Sequence, residues 1–305
     1  MVNENKTAHK SGYVALLGAP NVGKSTLMNQ ILKEKISITA PKPQTTRNRI
    51  LGILTTPDSQ LIFVDTPGIH AARDQFNKIL VDTALSALNE VDVICFLIEA
   101  TEAGRSVNDM ILQEMHRVGT PAVLAINKID TVRNKNELLP VIERFNELAE
   151  FRAVVPISAL LGDGVQDLLR EILALLPEGP VYYPEDYLTD QPERFLVAEL
   201  VREKIFHLAH QEIPYAVAVT VEKFSEDAGR NRIDIEATIH VERDSQKAII
   251  IGKKGAMLKE IGKQARRDIE ALLGCHIYLG LFVRVQKNWR KSPRALAEFG
   301  YRLPK

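Results

Sequence analysis

The chain has 305 residues, 45% of them hydrophobic and 26% charged, and its formal net charge at pH 7 is zero. This length and apolar content predict two domains, and the two cysteines, Cys95 and Cys275, exclude both a disulfide scaffold and a zinc motif. The apolar runs are too short to cross a membrane and residues 1–6 lack the core of a signal peptide, so we expect a cytoplasmic protein.

The first predicted strand, near residues 13–18, leads into a phosphate-binding loop. The pattern GxxxxGK[ST] is formed by Gly18, Ala19, Pro20, Asn21, Val22, Gly23, Lys24, Ser25 and Thr26. In this pattern backbone N–H groups surround phosphate oxygens, Lys24 reaches the terminal phosphates and the Ser25 hydroxyl ligates Mg²⁺. A helix predicted over 25–33 points its N-terminus at the phosphates. The motif predicts a nucleoside triphosphate site, although alone it would also suit a glycine-rich turn.

Strands are predicted next near residues 49–54 and 61–65. The turn between them is too short for a crossover helix, so this pair is predicted to be antiparallel. The second strand ends in Asp65-Thr66-Pro67-Gly68, a sequence that is also good turn chemistry. Coming after a phosphate loop, it is the layout that puts the Asp65 carboxylate near Mg²⁺ and the Gly68 N–H near the γ-phosphate.

Helices and strands then alternate, which predicts βα units around a mostly parallel sheet. The predicted helices lie near 75–89, 106–118, 137–149 and 165–176, and the predicted strands near 92–98, 121–126 and 153–157. The fold class of this half is therefore α/β, with one antiparallel strand.

Two short motifs at the ends of these strands are typical of guanine recognition. Asn127, Lys128 and Asp130 follow the strand at 121–126, at the edge where ligands of open α/β sheets bind. The Asp130 carboxylate can accept from guanine N1–H and the N2 amine, two donors that adenine does not present together. The Lys128 stem can cover the base, and Asn127 can brace the loop. Ser158 and Ala159 follow the next strand, which places the Ala159 N–H for guanine O6.

These motifs, in this order, resemble those of the TRAFAC-class small GTPases across about residues 11–176. The resemblance implies GTP hydrolysis and two switch segments, 37–49 and 66–75, that GTP and Mg²⁺ order. Within Gln44-Thr45-Thr46-Arg47, Thr46 is favoured over Thr45 as the threonine that joins Ser25 and Asp65 around Mg²⁺. The implied catalytic residues are Lys24, Thr46, Gly68 and Asn21, and the implied nucleotide contacts include Thr66, Pro67, Gly68 and Ile69.

One position departs from the usual GTPase template. Ile69 stands where a glutamine normally orients the attacking water, so hydrolysis is expected to be slow or to use another device. Asn21 resembles the asparagine with which potassium-stimulated GTPases hold K⁺, which makes K⁺ a candidate cofactor beside Mg²⁺. The alternative is that Asn21 only caps the loop backbone.

The second half of the chain differs in charge. Residues 247–305 contain 14 basic and 4 acidic residues, whereas residues 181–246 contain 7 basic and 14 acidic ones, which makes the C-terminal end a candidate for polyanion binding. The predicted division is a flexible segment 1–10, a GTPase domain 11–176, a proline-rich semi-rigid linker 177–193 and a second domain 194–305 with a basic tail.

The order of elements in the second domain is strand, strand, helix, GxxG, helix, strand. Strands at 215–221 and 232–240 precede the GxxG, and a strand at 275–285 follows, which resembles a small α+β type II KH domain. The resemblance implies that single-stranded RNA, and not DNA, is the partner. The predicted RNA contacts are Ile251, Gly252, Lys253, Lys254, Gly255, Lys287, Arg290 and Lys291. Trp289 could stack on a base, but core packing is favoured.

A GTPase domain, this linker and a type II KH domain together resemble the bacterial Era family over almost the whole chain. The resemblance implies a GTP-operated switch that binds near the 3′ end of 16S ribosomal RNA, assists 30S subunit assembly and associates peripherally with the inner face of the cell membrane. Two alternatives stay open. One is an RNA-binding scaffold with a structural nucleotide site, for which Ile69 is the best support, and the other is a membrane-associated signalling GTPase.

Overall fold

The computed structural model describes residues 9–69, 74–101, 106–227 and 231–301. The predicted flexible segment 1–10 and switch segment 66–75 therefore lie partly outside the described residues. In the described parts of the chain, no helix has the length and apolar character needed to span a membrane.

The first domain is built on a six-stranded sheet in the order β2-β3-β1-β4-β5-β6. Its strands are β1 (Lys10–Gly18), β2 (Ile50–Thr56), β3 (Ser59–Asp65), β4 (Val93–Glu99), β5 (Ala122–Asn127) and β6 (Ala153–Pro156). All neighbouring strands are parallel except β2 and β3, which are antiparallel. The predicted α/β fold with one antiparallel strand is confirmed.

Helices cover both faces of this sheet. They are α1 (Lys24–Leu32), α2 (Gln75–Ser86), α3 (Ser106–Val118), α4 (Leu139–Leu148) and α5 (Val165–Leu175). Alternate residues of β1 face opposite sides, so Val14 packs with α1 and α5 while Ala15 packs with α2, α3 and α4. Because both faces are buried, the central strands are continuously apolar.

A proline-rich segment follows α5 and runs beside the sheet edge. The Gln60 side chain accepts from the N–H groups of Tyr182 and Tyr183, at 2.8 and 3.0 Å. The Ile53 N–H of β2 donates to the carbonyl of Leu188 at 2.8 Å. These bonds attach the segment to β2 and β3 before the second domain begins.

The second domain has a three-stranded sheet in the order β7-β8-β9. Its elements are α6 (Glu193–Leu208), β7 (Ala218–Asp227), β8 (Arg232–Val241), α7 (Asp244–Ile251), α8 (Ala256–Leu273), β9 (His276–Val285) and α9 (Pro293–Glu298). β7 and β8 are antiparallel, whereas β8 and β9 are parallel. Helices α6 and α8 pack on this sheet, and the predicted smaller α+β KH domain is confirmed.

Sequence reasoning missed α6, and it began the first strand of this domain too early. Residues of α6 from Leu196 to Phe206 are buried on every side, including Arg202, so no apolar stripe marks the helix in the sequence. The strand predicted from residue 215 starts at Ala218, because residues Ile213–Ala216 form a 3-10 turn.

The C-terminal segment packs on the first domain. Phe76 of α2 lies 5.5 Å from the Trp289 ring and 5.1 Å from the Tyr301 ring, centroid to centroid. Trp289 is fully buried and donates from its indole N–H to the Ala216 carbonyl at 3.0 Å, so the predicted core role of Trp289 is confirmed. The two domains therefore share an aromatic cluster.

Phe145→Ala tests the packing on one face of the first sheet. Phe145 of α4 is fully buried and its ring lies 6.1 Å from that of Phe96. Its truncation is expected to lower the free energy of unfolding of this domain by about 3–5 kcal/mol, measured by urea denaturation. The matched control is Leu148→Ala on the same helix, where the side chain is 41% exposed and a change within about 0.5 kcal/mol is expected. Similar losses in both variants would contradict the packing.

Candidate nucleotide and RNA sites

The phosphate loop connects β1 to α1 at the carboxyl edge of the first sheet. Gly23 has a φ of 102°, a left-handed conformation that side chains disfavour. A Cβ atom at this position would lie 2.2 Å from the Asn127 amide nitrogen. Only glycine therefore lets the loop close against the β5 end, which carries the guanine motif.

Lys24 is enclosed by the loop in which it lies. Its ammonium donates to the carbonyls of Gly18 and Ala19, both at 3.1 Å, and the residue is 6% exposed. Burial lowers the pKa of Lys24 to about 8, and the charge of Asp65 opposes part of that effect. An ammonium held by two carbonyls inside the loop can exchange them for phosphate oxygens with a short movement, which is the role predicted for this lysine.

One carboxylate oxygen of Asp65 accepts hydrogen bonds from three hydroxyl groups, one in α1 and two in the first switch segment. Its Oδ2 accepts from Ser25 Oγ at 2.7 Å, Ser37 Oγ at 2.9 Å and Thr46 Oγ1 at 3.4 Å. Ser25 and Thr46 also contact each other at 2.8 Å, whereas the Thr45 hydroxyl donates to the Lys42 carbonyl. Among the two threonines, the structure therefore brings Thr46 to the cluster.

The composition of this cluster fits Mg²⁺. Every side-chain atom that the cluster offers as a metal ligand is an oxygen. Asp65 Oδ1 is buried without a hydrogen-bond partner among the described residues. Burial raises the pKa of Asp65, an effect that a neighbouring cation would oppose. Ser25, Thr46 and Asp65 would hold the ion, which neutralises charge on the nucleotide phosphates when bound.

The guanine motif lies in a cavity of about 680 Å³ beside the phosphate loop. The Asn127 amide donates to the Val22 carbonyl at 2.6 Å, so it ties the two loops together. Asp130 accepts from the Ser158 hydroxyl at 2.6 Å, which orients the carboxylate. The Lys128 ammonium pairs with Glu99 at 2.8 Å, so the lysine stem is held along the cavity.

At three predicted nucleotide contacts the structure shows a side chain or N–H group with a partner inside the protein. The Ile69 side chain is fully buried and packs in the core with Ala15, and the Thr66 hydroxyl donates to the Leu16 carbonyl at 2.9 Å. Neither side chain faces the cavity, because both contact residues of β1 in the core. The Ala159 N–H, predicted for guanine O6, donates to Asn127 Oδ1 at 2.9 Å in this structure.

The first switch segment supplies contacts that sequence reasoning missed. Ile38, Thr39 and Ala40 line the phosphate cavity with Pro20 and Gly68. The second domain also reaches the guanine cavity, where His207 of α6 contacts the Thr39 carbonyl at 2.9 Å. No local motif marks these residues, because they reach the site through the packing of the two domains.

The GxxG loop connects α7 to α8 in the second domain. Gly252 has a φ of 73°, and a Cβ atom there would lie 2.7 Å from Met257 Cβ, so glycine is required. Lys253 and Lys254 are exposed between the two glycines, and Ile251 closes α7. Of the predicted tail contacts, Lys287 and Lys291 are exposed, while Arg290 is held by Glu242 at 2.9 Å.

A groove of about 560 Å³ lies beside the GxxG loop, between α8 and β9. Its walls carry basic, aliphatic and aromatic side chains, namely Leu258, Lys259, Lys263, Arg266, Tyr278, Leu279 and Leu281. Tyr278 is 51% exposed with the Arg232 guanidinium 5.4 Å from its ring centre, an arrangement suited to stacking a base. Sequence reasoning missed these residues, because only the tertiary structure shows that α8 and β9 lie side by side.

The fold and the two sites define a P-loop GTPase joined to an RNA-binding KH domain. The family described as 50S ribosome-binding GTPase matches residues 13–128, and the KH domain family matches residues 212–290. The GTPase Era of Geotalea uraniireducens is 55% identical over 292 residues, which cover 96% of this chain and 98% of the relative. That of Syntrophus aciditrophicus is 52% identical and covers 96% and 95%. The chain belongs to the Era family of GTPases, and it hydrolyses GTP.

Two solved structures share the whole architecture. A substituted variant of Aquifex aeolicus Era bound to GDP and AlF4⁻ has a TM-score of 0.94 at 43% identity, with 96% of this chain and all of that chain covered. Era in complex with MgGDPNP and nucleotides 1506–1542 of 16S ribosomal RNA also has a TM-score of 0.94, at 44% identity, with 97% and 100% covered. This agreement extends across both domains, so the relative placement of the sites is shared.

Asp130→Asn tests the guanine assignment. An asparagine amide can donate to the C2 carbonyl of xanthine but cannot accept from both guanine donors, so preference is expected to move from guanine to xanthine nucleotides. GDP affinity is expected to fall by about 100-fold, while affinity for xanthosine diphosphate rises, both measured by calorimetric titration. The control is Asp167→Asn, an exposed α5 carboxylate paired with Arg170. Unchanged GDP affinity in Asp130→Asn would remove Asp130 from base recognition.

Proposed function

We propose that this GTPase is a nucleotide-controlled RNA clamp that binds the 3′ region of 16S ribosomal RNA during assembly of the 30S subunit. GTP and Mg²⁺ hold the first switch segment, the KH groove then binds single-stranded RNA, and hydrolysis releases it. The single observation that carries the proposal is that one segment, residues 35–47, contacts both the nucleotide site and the KH domain.

The contacts of this segment cross the domain boundary at several points. Lys35 pairs with Glu203 of α6 and, at 2.9 Å, with Asp268 of α8, the helix that forms one wall of the RNA groove. Glu203 also accepts from the Thr39 N–H at 2.9 Å. Burial alone would raise the pKa of Asp268, but the hydrogen bonds from Lys204 and Lys35 lower it to about 2. A change in this segment on hydrolysis therefore acts on both domains.

The proposed RNA target rests on the chemistry of the groove and on similarity to a solved Era structure. Exposed lysines stand at the GxxG loop, the element with which KH domains clamp the backbone of unpaired nucleotides, and the groove beside it adds an exposed tyrosine on which a base can stack. The Era structure that holds nucleotides 1506–1542 of 16S ribosomal RNA matches both domains of this chain. This likeness supports the same RNA region as the target, and with it a role in the small subunit.

The test is a titration of a single-stranded oligonucleotide that copies the 3′ end of 16S ribosomal RNA. Affinity is measured with the protein holding Mg²⁺ and GDPNP and then with the GDP form. Binding is expected to be about tenfold tighter with GDPNP, which corresponds to about 1.4 kcal/mol of coupling and implies an equal effect of RNA on nucleotide affinity. Equal affinities in the two forms would contradict nucleotide control of RNA binding, although not RNA binding itself.

Gly252→Asp separates the groove from the nucleotide site in the same assay. A carboxylate at this position strains the loop and repels phosphate, so RNA affinity is expected to fall while GTP hydrolysis is retained. The matched control is Ser225→Asp on β7, an exposed position at the sheet edge opposite to β9. Equal RNA binding by both variants would place the RNA elsewhere.

We also propose that K⁺ assists hydrolysis at Asn21. The Asn21 amide nitrogen donates to the Pro41 carbonyl of the first switch segment at 2.9 Å, and this bond holds the side chain between the two phosphate-binding segments. In that position its carbonyl oxygen can serve as a cation ligand. A monovalent cation there adds positive charge beside the phosphates, a device suited to a site whose Ile69 offers no polar group.

Turnover is expected to be at least about tenfold faster in KCl than in NaCl at equal ionic strength, because a positive charge beside the transferring phosphoryl group stabilises the transition state. Asn21→Ala is expected to remove most of this difference while leaving GDP affinity in place. Steady-state phosphate release measures both. If turnover is the same in the two salts, the cation proposal fails and Asn21 has only the loop-bracing role.

A further inference from the structure

Arg47 directly follows Thr46, and its side chain extends from the nucleotide-binding domain into the second domain. Its guanidinium is 1% exposed and lies inside the second domain, at the 3-10 turn that precedes β7. Nη1 donates to the Val217 carbonyl at 2.6 Å, and Nη2 donates to the carbonyls of Pro214 at 3.0 Å and Tyr215 at 3.2 Å. Three backbone carbonyls of the second domain therefore hold one side chain of the first switch segment.

Aromatic rings from three parts of the chain enclose the same guanidinium. Its carbon lies 5.3 Å from the ring centre of Phe76 in α2, 5.7 Å from that of Phe206 in α6 and 6.0 Å from that of Tyr301. These separations are within the range of cation–π attraction. Burial lowers the pKa of Arg47, and the charge of Arg202 adds to that effect. Among the described residues no carboxylate hydrogen-bonds this guanidinium, whose partners are the three carbonyls, the Tyr301 hydroxyl at 3.4 Å and the rings.

The residue before Thr46 is also held by the second domain. Arg202 of α6 donates to the Thr45 carbonyl and is itself paired with Glu199. Thr46 thus lies between two residues that are attached to the second domain, while its own hydroxyl faces Ser25 and Asp65. Because successive Cα atoms are about 3.8 Å apart, Thr46 cannot move far from the Mg²⁺ ligands without pulling Arg47 from its carbonyls.

We propose that Arg47 is a positioning residue through which the KH domain holds Thr46 in the arrangement that binds GTP. When Thr46 leaves the metal ligands, the buried guanidinium loses partners that nothing in its surroundings replaces, and this cost is absent when GTP is bound. The second domain thereby contributes to the preference of the first for GTP over GDP. This inference rests on the proposed nucleotide switch, but it makes a separate claim about nucleotide discrimination.

Arg47→Met is the test variant, since methionine keeps an unbranched apolar stem among the rings and removes every donor. Arg47→Lys is the conservative variant, because it keeps the charge but replaces the planar guanidinium fork by a single ammonium. The matched control is Arg49→Met, two residues further on, where the side chain is paired with Glu90 at 2.7 Å near the surface. Thermal unfolding of the GDP-bound forms establishes that each variant is folded.

Affinities for GDPNP and GDP are measured for each variant with Mg²⁺ present. Arg47→Met is expected to lose about tenfold in GDPNP affinity and to keep its GDP affinity, with Arg47→Lys between it and the unsubstituted protein and Arg49→Met unchanged. The rate of GTP hydrolysis is expected to fall in the same order. Equal losses for both nucleotides would assign Arg47 a purely structural role, and no loss would also overturn the proposal.

A second measurement needs no substitution. Trp289 is the only tryptophan of the chain, and it is buried against Phe76 in the same aromatic cluster that contains Arg47. Its fluorescence emission is expected to lie at longer wavelength in the GDP form than in the GDPNP form, because loss of the Arg47 contacts loosens that cluster. Identical emission in the two forms would show that the interface does not respond to the nucleotide, which overturns the proposal.

The two proposals can fail separately. If RNA affinity is independent of the nucleotide while Arg47→Met still selectively weakens GDPNP binding, the RNA switch fails and the role of Arg47 stands. If RNA affinity depends on the nucleotide while Arg47→Met and Arg49→Met keep the GDPNP and GDP affinities of the unsubstituted protein, the switch stands and the role of Arg47 fails. If the unsubstituted protein responds and Arg47→Met does not, both are supported.

Discussion

The nucleotide site depends on the buried carboxylate of Asp65. Three hydroxyl groups, one from the start of α1 and two from the first switch segment, lie on this one oxygen. A buried carboxylate needs such partners, because an unpaired charge inside a protein is strongly unfavourable. The same need favours a divalent cation at its second, unpartnered oxygen. The electrostatics of one group thus link the phosphate loop to the switch.

The link continues into the second domain through buried cations. Arg47 and Arg202 are both almost fully buried. The Arg47 side chain extends from the first domain into the second, and that of Arg202 extends from α6 toward the first. Arg47 donates to three backbone carbonyls of the second domain and Arg202 to one of the first, and leaving these buried donors without partners would be costly. The lysine and carboxylate pairs between Lys35, Glu203 and Asp268 extend this interface to the helix of the RNA groove. Nucleotide and RNA sites are therefore connected by hydrogen bonds and packing.

Local sequence patterns predicted much of the fold and many of the site residues. The phosphate loop, the Asp65 strand end and the Asn127 motif are short, and each lies at the end of an apolar strand, so their chemistry could be read without knowledge of packing. Sequence reasoning missed α6, whose buried charged residues hide the helical period, and gave no sign that the side chains of Ile69 and Thr66 turn into the core. These omissions share one cause. Burial by a second domain or a neighbouring strand leaves no mark on local periodicity.

The sequence by itself determined the class of protein: a phosphate loop, an Asn-Lys-x-Asp motif and a GxxG loop between helices each need only adjacent residues. Tertiary structure decided which threonine faces Asp65, which residues of α8 and β9 form the groove, and that the first switch segment lies against the KH domain. The reason is physical. Motifs that cradle phosphate use neighbouring backbone groups, whereas burial of Arg47 and Trp289 requires surfaces more than 150 residues apart to meet.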